Sequence, residues 1–246
     1  MQYQQQPQYS GTTTAAQASV EDRAGFLVRT YLHLAGAIFA FVFLEAAFFA
    51  PVLPEGHALA DIMAMLVFAG PLGGMGWIVV LLAFMGVSYL ANWWARSGSS
   101  PVLQYAGLGL YVVAESVIFV PLLWLAARSA PEAIPTAGLV TLVLFGGLTG
   151  IVFITRKDFS WMRGVLGVAC LGALATMVCA MIFGFSLGVW FSGAMIIVAG
   201  GYVLYYTSNV MLHYRTDQHV AAALALFASI ALLFWYVLRI FLNQRR

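Results

Sequence analysis

Glu115 stands alone in the apolar run YVVAESVIFVPLLW, where an ionisable side chain costs several kcal/mol unless something pairs with it. It either faces the interior of a helix bundle as a cation or proton site, or is a protonated carboxyl hydrogen-bonded to a neighbouring helix. Glu45, near the end of an earlier apolar run, is expected to reach the membrane interface. Tyr202, Tyr206, Asn209 and His213 step by four, three and four residues, which places them in one polar stripe on a helix. Such a stripe lines a water-filled path or bonds to another helix. His213, in YTSNVMLHYRTDQH, is expected beyond the hydrocarbon and solvated. Arg239 follows Trp235 by one turn and has two readings: its long side chain snorkels to the headgroups, or it pairs with a buried acid such as Glu115.

Other chemistries are discounted. Gly184-Phe185-Ser186-Leu187-Gly188 matches the hydrolase pattern G-x-S-x-G, which has meaning only on a strand-to-helix turn with a histidine and an acid to complete the triad. Here it joins two apolar runs, and no acidic residue lies between Asp158 and Asp217. Cys170 and Cys179 are nine residues apart, on opposite faces of a helix, so no CxxC-type redox or zinc site is expected. No HExxH, P-loop or cluster with metal-ligand spacing occurs, and neither a cofactor nor a resident metal is expected.

These residues sit in a chain that is 63% hydrophobic and 8% charged, against roughly 25% charged in a soluble domain. It lacks the polar residues to cover a water-facing surface, so its solvent is a lipid bilayer. A cytosolic enzyme, a nucleic-acid module and a secreted disulfide scaffold are excluded, and the formal charge of +2 argues for no anionic partner. Residues 1–20 hold six glutamines, three threonines and no charge, the composition of a disordered tail. Residues 21–246 form the membrane domain, an all-α bundle with seven spans at about 25–49, 73–94, 102–126, 136–155, 164–185, 189–211 and 219–242. Between the first two spans, His57 to Phe68 is too short and too flanked by proline to cross, and reads as a surface-lying or re-entrant helix. Gly70 and Gly74, Gly146 and Gly150, and Gly184 and Gly188 have the spacing of close helix contacts. Trp93, Trp94, Trp161 and Trp190 fall at span ends, as an interfacial aromatic belt would place them.

With the N-terminus inside, the cytoplasmic loops hold Arg23, Arg29, Arg96, Arg156, Lys157, Arg163 and Arg215, against Arg128, Arg239, Arg245 and Arg246 on the other side. Seven against four favours a cytoplasmic N-terminus. A re-entrant last segment would instead return the C-terminal arginines inside; seven full spans are the reading adopted.

The stretch TRKDFSWMRG (155–164), and LYYTSNVMLHYRTDQHVAAALALFASIALLFWYVLRI (204–240), resemble the Bax inhibitor-1/YccA family, the second fitting that family's last two helices and their loop. Pro121 of FVPLLW sits where the family has a Gly-Pro pair. The resemblance covers about residues 22–242 and looks closest to the YccA-like branch of bacterial inner-membrane proteins. It implies a seventh helix at the bundle centre, wrapped by the other six. It also implies one of two activities: a pH-sensitive calcium leak, gated by one aspartate on the sixth helix and one on the seventh, or modulation of a membrane-anchored ATP-dependent protease. Eukaryotic members are linked to suppression of cell death through endoplasmic-reticulum calcium.

The sequence departs from the leak pattern at the gate. The family's sixth-helix aspartate falls on Tyr206 and its seventh-helix aspartate on Ser229. Two carboxylates can share a proton near neutrality because their like charges repel; a phenol titrating near 10, or a serine, cannot replace them. Glu115 would then stand in as the gating carboxylate, with Arg96 near the family's basic partner on the second helix. Three hypotheses follow: a regulator of membrane-protein quality control or stress survival that binds a partner in the bilayer; a leak for Ca2+ or H+ using Glu115 and the tyrosine stripe; and an intramembrane hydrolase at Ser186, which is not expected.

Overall fold

Ser19 starts the first helix. Its hydroxyl accepts the Asp22 amide at 3.1 Å, and Glu21 and Asp22 set negative charge at the helix N-terminus, where the macrodipole favours it. Ser100 begins another in the same way, accepting the Leu103 amide at 3.3 Å, with Pro101 in the first turn, where its missing N–H costs nothing. Gly184, at φ 71°, closes a third in the left-handed conformation.

The computed structural model describes residues 13–51, 57–68, 76–97 and 100–243. Among them are eight helices: α1 (Val20–Phe48), α2 (Leu59–Phe68), α3 (Gly76–Ala95), α4 (Pro101–Ser129), α5 (Ala133–Thr155), α6 (Met162–Phe183), α7 (Val189–Leu212) and α8 (His219–Asn243). All but α2 are long and apolar enough to cross a membrane, and the described residues include no strand beyond an isolated bridge between Thr14 and Arg215. The seven long helices match the expected spans within a few residues, α1 starting earlier because its cap lies at Ser19. At 25 residues α8 extends roughly 37 Å, a full crossing rather than a re-entrant segment.

Long helices alternate in direction. One end of the bundle therefore carries the start of α1, the α3–α4 turn, and the α5–α6 and α7–α8 loops; this is the basic end, with Arg96, Arg156, Lys157, Arg163 and Arg215. The disordered-tail expectation reaches described residues only from Thr13 on, and there the chain is tied down. Ala15 is fully buried and donates its amide to the Tyr214 carbonyl at 2.8 Å. Residues 1–12 lie outside the described segments.

The last helix occupies the centre, packing against α1, α3, α4, α5 and α7. Within its most apolar stretch 78% of residues are buried, against 17% for α6, whose helix interface is with α7. Alanines Ala221, Ala222, Ala223 and Ala225 line the first turns of α8 and let its neighbours close in, since lipid supplies no hydrophobic force to drive helices together and packing must do so. Phe119 of α4 joins the elements by stacking on Phe234 and meeting the rings of Phe41 and Trp235 edge-on.

The expected glycine contacts are not the ones that form. A Cβ at Gly146, Gly150, Gly184 or Gly188 would meet nothing within 4 Å, and Gly70 and Gly74 lie outside the described residues. The close approach is at Gly107, where a Cβ would lie 2.6 Å from both the Ala91 carbonyl oxygen and the Ala95 nitrogen, so α3 and α4 touch backbone to backbone. Spacing marks glycines able to permit contact; only the partner's position decides which are used. Trp93, Trp161 and Trp190 are exposed at helix ends, as a belt requires.

The segment between the first spans forms α2, which packs on α3 and α4 while Ile62, Met65, Leu66 and Phe68 face outward. Asp61 anchors it. Its carboxylate accepts the Ala58 amide at 3.0 Å, the Trp124 indole N–H at 2.9 Å and the Arg128 guanidinium at 2.9 Å, and Arg128 lies over the Trp124 ring.

Candidate functional site

At the basic end a cavity of about 700 Å³ opens between the end of α3, the first turns of α6, the C-terminal half of α7 and the α7–α8 loop. The polar stripe of α7 forms its wall: Tyr202, Tyr206, Asn209 and His213 all line it, joined by Tyr205 and Tyr214. The rings are ordered against one another. Tyr202 and Tyr206 stack at 5.9 Å, and Tyr205 meets Tyr206 edge-on at 4.9 Å. Arg96 and Arg163 complete the lining.

Polar contacts around the mouth hold the loops. His213 Nε2 lies 3.0 Å from Asp158 Oδ2, so the histidine expected to be solvated in the loop ties α7 to the α5–α6 connection. The Ser160 amide, at 2.8 Å, and then His213 hold the Asp158 carboxyl below its ordinary range. Ser208 accepts the Phe159 amide and donates to the Lys157 carbonyl, fixing the same loop. Burial pushes the Tyr214 hydroxyl up to about 12, with Arg96 pulling the other way.

Beneath the cavity the polar character continues as far as Glu115. Tyr206 lies within electrostatic range of Tyr111, which is buried between Phe84 and Phe227. The Tyr111 hydroxyl lies within electrostatic range of the Glu115 carboxyl one turn further along α4. Glu115 itself is 7% exposed, and its Oε2 has no partner among the described residues.

The structure thus brings together Arg96, Tyr206 and Asn209, with Glu115 behind them. It leaves two sequence candidates elsewhere. Ser229 is buried in α8 with its hydroxyl donated to the Ala225 carbonyl at 2.8 Å. Arg239 sits at the opposite end, bonding the Leu187 carbonyl at 3.3 Å beside the Phe191 ring, so neither snorkelling nor pairing with Glu115 describes it fully: it closes the α6–α7 loop onto α8. Glu45 departs from expectation too. It shares a face with Phe41, which packs on Phe119 and Phe227, and that face turns inward, leaving Glu45 7% exposed with both carboxyl oxygens unpartnered among the described residues. Gly184 to Gly188 link two helices, so the geometry of a strand-to-helix elbow is absent.

Sequence reasoning missed Arg163 and Tyr111 as site residues. Arg163 counted only as a topological charge, and Tyr111 carried a signal that was available: it lies one turn before Glu115 on the same face of α4. No group of three or more histidines, cysteines and acids that could hold a metal ion occurs among the described residues.

Comparison with known proteins places this architecture. The family profile described as "Inhibitor of apoptosis-promoting Bax1" matches residues 23–246. An uncharacterised protein of Pseudomonas aeruginosa is 27% identical over 169 residues, covering 66% of this chain and 72% of the relative. Bax inhibitor 1 of Schizosaccharomyces pombe is 25% identical over 239 residues, covering 95% of this chain and 82% of the relative. With seven apolar helices matched almost end to end, the chain belongs to the Bax inhibitor-1 family of multi-pass membrane proteins.

Proposed function

We propose that this protein acts as a regulatory partner inside the membrane, in membrane-protein quality control or stress survival, and that its partner is a membrane-anchored ATP-dependent protease. The observation that carries this reading is that, among the described residues, no acid lines the cavity at the basic end, where Arg96 and Arg163 stand instead; a mouth with two guanidinium groups repels cations. By the resemblance, Tyr206 and Ser229 fall where the family's proton-sharing aspartates stand, and α8 fills the centre of the bundle. The name of the fission-yeast relative, Bax inhibitor 1, agrees with a survival role. The bacterial inner membrane is the proposed location, with the basic end and the N-terminus cytoplasmic, because described Arg and Lys residues concentrate there. Mild cross-linking of tagged protein in its own membrane, followed by mass spectrometry, should recover such a protease; recovery of no membrane protease or chaperone sinks the reading.

One observation favours a second reading. Glu115 lies buried behind the cavity with an unpartnered oxygen, as an intramembrane proton or cation site would. Calcium and proton flux into proteoliposomes between about pH 6 and 8 decides it. A flux that depends on pH and disappears in Glu115→Gln supports the leak; no flux above empty liposomes leaves the partner reading.

A further inference from the structure

The same cavity has a property that neither reading uses. Arg96 and Arg163 have no carboxylate partner among the described residues, whereas Arg128 pairs with Asp61 and Arg215 with Asp217. Arg163 also stands in the first turn of α6, where the helix dipole is positive and disfavours a cation. That turn has no side-chain cap and no acidic residue to offset it. Asp158, the carboxylate closest in sequence, is engaged by the Ser160 amide and by His213. Positive potential is therefore concentrated from three sources at one opening, and an anion is the group that would relieve it.

The rest of the wall offers neutral donors. The side chains of Tyr205, Tyr206, Tyr214 and Asn209 have no hydrogen-bond partner among the described residues, and all four line the cavity. Two guanidinium forks with phenol and amide donors fit the several oxygens of a phosphate group better than the single charge of a halide. The volume of about 700 Å³ exceeds what a bare phosphate fills, leaving room for the body attached to it. Two routes in are compatible with the packing: from the aqueous end, and between α3 and α6, which border the cavity without forming a helix–helix interface.

We propose that this cavity binds a phosphate-bearing anion, held by Arg96 and Arg163 with the tyrosine hydroxyls and Asn209 as neutral donors. The site stands whether or not the bundle conducts ions or binds a protease. The phosphate belongs either to a lipid headgroup entering between α3 and α6 or to a soluble phosphate compound entering from the aqueous face.

The test uses the full chain purified in detergent, with pyrophosphate as the soluble probe followed by thermal shift and titration. A parallel arm reconstitutes the chain in nanodiscs of phosphatidylcholine with and without phosphatidylglycerol and reads retained lipid by native mass spectrometry. Each single change, Arg96→Gln or Arg163→Gln, should weaken binding by about tenfold or more, as loss of a charge-assisted pair requires. Arg163→Lys, which keeps the charge, should weaken it less and guards against a folding defect, and Arg128→Gln at the opposite end should leave it unchanged. Pyrophosphate binding sensitive to the two arginines assigns a soluble source; arginine-dependent retention of phosphatidylglycerol without pyrophosphate binding assigns a headgroup. Binding in neither arm, or binding indifferent to both substitutions, overturns the proposal.

Discussion

The sixth and eighth helices are alike as sequences and opposite as structures. Both are long, nearly uncharged and strongly apolar, yet 78% of the apolar stretch of α8 is buried against 17% for α6. In water such sequences would both seek the interior. In a bilayer the surroundings are as apolar as leucine, so apolarity places a helix in the membrane without saying what it touches. What separates the two is how closely neighbours can approach. The alanines at the start of α8 lie against α1 and α7, whereas Gly164, Gly167 and Gly172 of α6 have no other side chain or neighbouring helix within 4 Å of where a Cβ would stand.

Substituting glycines tests that account most sharply. Gly107→Ala drives a methyl group into the backbone of α3 at 2.6 Å and should cost about 3 kcal/mol. Gly146→Ala, with open space around it, should be neutral or slightly stabilising through helix propensity. Unfolding titrations with sodium dodecyl sulfate in mixed micelles compare the two, and equal effects would show that α3–α4 contact is not set by that glycine. A smaller effect, about 1–3 kcal/mol, is expected for Ala222→Leu in α8, which is fully buried. Val168→Leu in α6, 72% exposed, should stay within about 0.5 kcal/mol by the same measurement. If both destabilise alike, α6 has a protein neighbour in the membrane.

The short helix α2 adds a third case, held by one carboxylate as well as by packing. The Ala58 amide, followed by Trp124 and Arg128, lowers the Asp61 pKa to about 2. A carboxyl whose folded pKa is depressed contributes stability above its ordinary value and loses it as pH falls. The docking of α2 should therefore weaken progressively from about pH 4 to about pH 2, read as a change in Trp124 fluorescence. Asp61→Asn should abolish that transition while leaving the seven long helices intact by circular dichroism, and a transition that persists in the variant would assign it to another group.

The spans, their number and the short helix between the first two were legible because each is a local property of composition. The glycine contacts were not, since Gly146 and Gly150 have the same spacing as a true contact pair but face open space. Glu45 was misplaced for a related reason: its position near a helix end suggested exit to the interface, while the phenylalanines sharing its face turned it inward. Half of the candidate site was visible as the α7 stripe. Arg163 joins Arg96 only because the first turn of α6 and the end of α3 border the same opening.

What the sequence determined by itself is the solvent, the crossings and the register of the polar stripe, because hydropathy and helical periodicity depend on residues within a few turns of one another. The family resemblance, not hydropathy, implied the central place that α8 takes; tertiary structure alone decided that α6 is peripheral and that two arginines without a carboxylate partner among the described residues converge with four tyrosines at one end. Those outcomes depend on shape complementarity between helices distant in the chain, and in a membrane no gradient of hydrophobicity records that complementarity in the sequence of any single helix.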